Sequence, residues 1–251
     1  MIVVKFGGSA ITDKAVPMAI RRDVISRLAG ELAGLEEEIV LVHGAGSFGH
    51  PLAREHHLFA GLADNRVGWS RTQWSLLDLS AVIARALHGA GLAPAYCPAS
   101  ALMGEEEGHL RFHAESICGW LARGFVPILH GDALQTGPRQ LRIQSGDEVA
   151  AALARALRPR KVVFGCDVDG LFSDDPKKVT GARWIDRVFR QSAEAGYVAR
   201  EVGDQTGGMR AKVEQMTGLA GIPVQLLNLL VPGRLRAALD DEDVPCTWIV
   251  D

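Results

Sequence analysis

Twice near its start the chain runs a short, wholly apolar segment straight into glycine. Ile2-Val3-Val4 leads through Lys5-Phe6 into Gly7-Gly8-Ser9, and Ile39 to Val42 leads into His43-Gly44-Ala45-Gly46-Ser47-Phe48-Gly49-His50-Pro51. Between them Ile20, Val24, Ile25, Leu28 and Leu32 recur at helical spacing. An apolar run with no polar alternation reads as a strand buried on both faces. Strand, helix and strand in that order make a βαβ unit, with parallel strands and a right-handed crossover. The alternation continues. A long helix is predicted over about residues 68–91 and ends at Gly91-Leu92-Ala93-Pro94. Strands are predicted at 94–97, 125–129, 161–164 and 224–227, and a short helix at 115–123. Turns fall at 104–108 and at Thr136-Gly137-Pro138. Ser145-Gly146-Asp147 opens an alanine-rich helix ending near Pro159, and Thr206-Gly207-Gly208-Met209 opens another, broken at Gly221-Ile222-Pro223. The fold class predicted is α/β, a three-layer αβα sandwich with a mostly parallel central sheet. In such folds ligands sit outside the carboxyl ends of the strands. Every glycine-rich loop here follows a strand or opens a helix, so the loops can converge on one edge.

With 251 residues, the chain is one large domain or two closely packed lobes. A net charge of -3 argues against nucleic acid as the main partner. No apolar run is long enough to span a bilayer, and no signal peptide precedes the first strand, so a cytoplasmic protein is expected. Cys97, Cys118, Cys166 and Cys246 are scattered without a CxxC pair, which predicts reduced thiols rather than zinc or disulfides.

Six segments carry candidate chemistry. Residues 43–51 combine glycines with His50; backbone N–H groups and a helix N-terminus bind anions, and His50 can donate to a phosphate. Lys5, just before two glycines, is either a point charge for a phosphoryl group or a solvated strand-end lysine. No GxxxxGK[ST] loop occurs, and no GxGxxG fingerprint follows the first strand. Lys14, in a polar loop before Pro17, can reach over phosphates, although read alone it is a surface lysine. Asp147 is either a helix N-cap or a carboxylate set between lysines; Asp132 is equally ambiguous. Asp167-Val168-Asp169-Gly170 is a turn, or a contact to a nucleoside. Lys212 sits one helical turn past Gly207-Gly208, either solvated or beside a phosphate at a helix N-terminus.

Together, these segments resemble the amino-acid kinase superfamily. The order agrees across nearly the whole chain: a lysine-glycine-glycine-serine start, a second glycine-rich loop, Gly131-Asp132, Asp147 before a helix, Asp167-Val168-Asp169-Gly170, and Thr206-Gly207-Gly208-Met209 with Lys212. Within the superfamily, residues 43–51 and Ser145-Gly146-Asp147 resemble the isopentenyl phosphate kinases. Carbamate, glutamate, aspartate and uridylate kinases lack a histidine at the place of His50, whereas fosfomycin-phosphorylating kinases share the Phe-Gly-His ending. The resemblance implies an acceptor lobe over residues 1–158 and an ATP lobe over 159–251, sharing one sheet. It implies ATP and Mg²⁺, transfer of the γ-phosphoryl group to isopentenyl phosphate in isoprenoid biosynthesis, and a homodimer. Lys5, Gly7, Gly8 and Ser9 would hold ATP phosphates, and Lys14 the transferring group. Ala45, Gly46 and His50 would meet the acceptor, with Gly46 also facing ATP, and Gly146 would lie against the acceptor. Asp147 would orient the lysines, Asp167 would meet the nucleoside side, and Gly208 and Lys212 would hold the β- and γ-phosphates. No dedicated metal cage is expected. Gln205 departs from the small apolar residue expected there. The rival expectations are a phosphonate kinase and a nucleotide-binding regulator without turnover. Trp69, Trp74, Leu76 and Leu77 line the prenyl pocket or pack the core.

Overall fold

The computed structural model describes residues 1–13, 15–61, 65–106, 109–137, 140–190 and 208–251. Its main sheet has eight strands: β1 (Ile2–Phe6), β2 (Ile39–His43), β3 (Pro94–Tyr96), β4 (Val126–His130), β5 (Lys161–Cys166), β6 (Arg187–Phe189), β7 (Val224–Asn228) and β8 (Cys246–Val250). The two apolar runs that open the chain lie side by side at its centre, parallel, with Ile2 opposite Ile39 and Phe6 opposite His43. The spatial order is β6-β8-β7-β5-β1-β2-β4-β3. Neighbours are parallel except β7 and β8, so β6 and β8 run against the other six. The sheet passes without a break from β1 to β5.

Nine helices are described: α1 (Gly8–Ile11), α2 (Arg22–Leu32), α3 (Gly46–Glu55), α4 (Arg66–Gly89), α5 (Ala99–Leu102), α6 (Ala114–Leu121), α7 (Gly146–Leu157), α8 (Gly208–Thr217) and α9 (Arg234–Leu239). Successive strand residues point to opposite faces, and this period sorts the core. Ile2, Val4 and Phe6 pack with Leu28 of α2, Leu79 of α4 and Leu235 of α9. Val3 packs with Val149 of α7 and with Val213 and Met216 of α8. The result is the expected αβα sandwich. Every residue of β1, β2, β4 and β5 is buried, which is why their sequences do not alternate.

Several elements were not foreseen. Strands β6 and β8 and helices α1, α5 and α9 are additions. The segment 43–51 is not an open loop along its length, because α3 begins at Gly46 and carries Ser47 to Pro51 in its first turns. Among the described residues four small two-stranded pairs surround the sheet; the largest, Asp132–Gly137 with Gln140–Gln144, is the hairpin expected at 136–138, and Met103–Glu106 with His109–Phe112 flanks the turn expected at 104–108. Among the described residues no helix is long and apolar enough to cross a membrane.

Six strands pointing one way bring their carboxyl ends to one edge. There the ends of β1, β2, β4 and β5 deliver Gly7-Gly8, Gly44 to Gly46, Gly131-Asp132 and Asp167. The chain leaves β1 for β2 on one side and places β5 on the other, a switch point where α/β sheets form ligand crevices.

Candidate active site

Lys5 is the fourth residue of β1, so its side chain leaves the sheet on the face of Val3, beneath α7 and α8. Both helices meet it there. Lys5 Nζ lies 2.8 Å from Asp147 Oδ1. Lys212 Nζ, from the second turn of α8, donates to Asp147 Oδ1 at 3.0 Å and to Oδ2 at 3.1 Å. Asp147 is not the N-cap of α7. Ser145 takes that place in a capping box, its hydroxyl accepting from Glu148 N at 3.2 Å while Glu148 Oε2 accepts from Ser145 N at 2.7 Å. Asp147 is thereby released to bridge the lysines.

The three side chains are 5%, 18% and 11% exposed for Lys5, Asp147 and Lys212. Burial lowers the Lys5 pKa to about 8, with Asp147 opposing the fall and Lys212 adding to it. Burial also pulls Lys212 down, but Asp147 first, and with it Cys166 and the hydrogen bonds around the ammonium, together outweigh it and hold the group above its ordinary value. Burial works to raise Asp147, and the two ammoniums overcome it, holding the carboxylate well below its usual range. Two cations, Lys5 buried and Lys212 mostly covered, share one half-buried anion, so one positive charge is left for an incoming ligand to neutralise.

Around this centre the glycine turns pack backbone against backbone. A Cβ on Gly8 would lie 2.4 Å from Gly46 N, one on Gly7 2.4 Å from Gly165 O, and one on Gly131 2.6 Å from Gly146 N. Gly46 has φ +50°, and its Cβ would meet Thr12 Oγ1 at 2.1 Å. Thr12 stitches two turns together, its hydroxyl donating to Gly8 O at 2.7 Å and accepting from Ser47 N at 3.0 Å. These glycines are therefore required by contact between loops, whatever anion the loops bind. Ala45 is the N-cap of α3, Gly146 opens α7, and Gly208 opens α8. His50 is exposed on α3.

Asp167 sits at the end of β5 and joins the first loop. Ser9 Oγ donates to its Oδ1 at 2.7 Å, and Lys177 Nζ donates to its Oδ2. Lys177 did not stand out in the sequence. Its one signal is the Asp174-Asp175-Pro176 turn, where Asp175 Oδ1 accepts from Lys177 N at 3.0 Å and folds the lysine back. Asp169 accepts from Arg234 and, at 3.1 Å, from Asn228, both also unforeseen. Asp132 is spent on structure: its carboxylate accepts from Gln73 Nε2 at 3.0 Å, Ser100 N at 3.1 Å and Ala133 N at 2.8 Å. Trp69 and Leu76 are buried in the core, Leu77 is half-buried and Trp74 is exposed. Lys14, Gln205, Thr206 and Gly207 lie outside the described residues. Among the described residues no group of three or more metal-binding side chains occurs.

A model of the amino acid kinase family matches residues 1–228. An isopentenyl phosphate kinase of Methanothermobacter thermautotrophicus is 33% identical over 263 residues, covering 99% of this chain and 98% of that protein. One from Thermoplasma acidophilum is 34% identical over 219 residues, 86% of this chain and 85% of that protein. A crystal structure of the T. acidophilum isopentenyl phosphate kinase product complex matches with a TM-score of 0.84 at 30% identity, covering 99% of both chains. With a family model over most of its length and relatives of this identity and coverage, the chain belongs to the amino acid kinase family.

Proposed function

We propose that the chain transfers the γ-phosphoryl group of ATP to the phosphate of isopentenyl phosphate, giving isopentenyl diphosphate. The observation that carries this reading is the meeting of Lys5 and Lys212 on half-buried Asp147, at the crevice where the glycine turns converge. Relatives that cover 86–99% of the chain and carry the isopentenyl phosphate kinase name support the choice of acceptor.

The acceptor is a phosphate monoester, ionised near neutral pH, so no strong base is needed. The task is positioning and neutralising charge. Lys5 and Lys212 neutralise the β- and γ-oxygens, and Asp147 keeps both ammoniums in place. Ser9, Gly7, Gly8 and Gly208 line the phosphates, and Asp167 faces the nucleoside side. Ala45, Gly46, His50 and Gly146 hold the acceptor phosphate. Lys14 takes the transferring group by its place in the sequence. Mg²⁺, when bound, would supply further neutralisation of the phosphate charge. In this reading residues 1–158 form the acceptor lobe and 159–251 the ATP lobe, in a cytoplasmic homodimer. The four free thiols accord with that compartment.

The test is ADP release with isopentenyl phosphate, together with nucleotide binding, in wild type and His50→Ala. The expected result is that the variant binds ATP and has lost most acceptor turnover. Undiminished turnover in the variant refutes the role of His50.

A further inference from the structure

We infer that His43 and His130 are a matched pair of positioning residues, which fix the Gly44 and Gly131 peptides beneath the acceptor-phosphate site. The inference rests on the reading of the site just given. The two histidines end neighbouring parallel strands, stand opposite each other in register, and have ring centroids 5.3 Å apart. They are 0% and 1% exposed. Neither is used by the proposed transfer.

Each ring has the same two neighbours. On its Nε2 side lies a hydroxyl, and on its Nδ1 side the carbonyl of the glycine that follows it. For His43 these are Ser80 Oγ at 2.7 Å and Gly44 O at 3.2 Å. For His130 they are Tyr96 Oη at 2.9 Å and Gly131 O at 2.7 Å. A carbonyl can only accept, so the hydrogen belongs on Nδ1, and Nε2 accepts from the hydroxyl. Ser80 has one hydrogen and two acceptors in reach, and His43 Nε2 is closer than Leu76 O at 3.0 Å. Burial and the neighbouring His130 drive the His43 pKa down to about 3, so that ring stays neutral.

A peptide is planar, so fixing a carbonyl fixes the next N–H on the opposite side. His43 turns the Ala45 amide away from itself at the N-cap of α3. His130 sets the Gly131–Asp132 peptide where the hairpin begins, with Asp132 opposite Gln144. Gly146 lies directly on both pinned segments: a Cβ on Gly146 would lie 2.9 Å from His43 O, and one on Gly131 would lie 2.6 Å from Gly146 N. The next residue is Asp147. A rotated peptide at either glycine would therefore be felt at the acceptor loop and at the carboxylate between the lysines. Filling the space alone would need no imidazole, and a buried polar group left unpaired is costly.

The test has two parts on the full chain. Nitrogen-15 spectra of the imidazoles are expected to show both rings as neutral Nδ1–H tautomers; an Nε2–H tautomer in either ring overturns the inference. Asparagine places its amide nitrogen near Nδ1 of the histidine it replaces, and glutamine near Nε2. His130→Asn should keep the KM for isopentenyl phosphate within about threefold, while His130→Gln raises it about tenfold, with the KM for ATP unchanged in both. Equal acceptor KM in the two variants overturns the inference, whether or not it equals that of wild type. A wild-type chain that phosphorylates no isopentenyl phosphate refutes the functional reading instead, and the tautomer spectra still decide on the pair.

Discussion

Replacing Asp147 by asparagine removes one charge and keeps the shape. The carboxylate stands 2.8 Å from Lys5 Nζ and 3.0 Å from Lys212 Nζ. At an effective dielectric constant of 20 each attraction is about 6 kcal/mol, most of it offset by desolvation. Breaking a buried pair from one side costs about 3–5 kcal/mol net, so the variant should lose about that much stability at neutral pH. The loss should shrink in acid. Asp147 has a depressed folded pKa, so its contribution is present above the unfolded carboxylate value and disappears as pH falls through the folded one. Asp147 is also the largest influence holding Lys5 up at about 8. Without it, Lys5 falls further and sheds its proton at neutral pH. Transfer should then drop about 10²–10³-fold at pH 7, and the pH–rate profile should move toward acid, where Lys5 recharges. The assay is ADP release across pH, paired with urea unfolding of the same protein. Activity within about threefold of wild type at neutral pH would refute the reasoning.

Three further outcomes follow from the same geometry. Gly46→Ala places a Cβ 2.1 Å from Thr12 Oγ1 at a φ of +50°, and should lower unfolding free energy by about 3 kcal/mol in urea titrations. Ser9→Ala removes the 2.7 Å bond to Asp167 and should raise the KM for ATP about fivefold while sparing that of the acceptor. Phosphates beside Lys5 favour its charged form, so ATP binding near pH 8 should take up about half a proton, read by calorimetry in buffers of different ionisation enthalpy; no uptake would place the phosphates away from Lys5.

The fold was legible where burial is complete. Ile2–Phe6, Ile39–His43 and Lys161–Cys166 are apolar without alternation because both their faces are covered, and the sequence shows it. Cys246–Val250 was readable in principle, since Thr247, Ile249 and Val250 are β-branched, but its antiparallel direction depends on β7, which the chain leaves 18 residues earlier (246 − 228). Arg187–Phe189 is too short to show a period. The site divides in the same way. Lys5, Asp147 and Lys212 each had a bland alternative, because their chemistry exists only as a contact between residues 65 or more apart in the chain. Resemblance supplied the pairing; the period of β1 supplies its physical reason. Lys177 and Arg234 were hidden because a lone cation, in a polar turn or at the start of a short helix, looks solvated until its carboxylate partner is seen. The glycines were legible as necessary, but their reason was incomplete, since the turns press on one another as well as on a ligand.

The central claim is a phosphoryl transfer whose acceptor is a prenyl phosphate. Initial rates of ADP release, with phosphorus NMR of the products, should be compared for isopentenyl phosphate, dimethylallyl phosphate, longer prenyl phosphates and fosfomycin at fixed ATP. The account predicts that isopentenyl phosphate gives the highest kcat/KM and a diphosphate product. A higher kcat/KM for fosfomycin, or ATP binding without transfer to any of these acceptors, would contradict it.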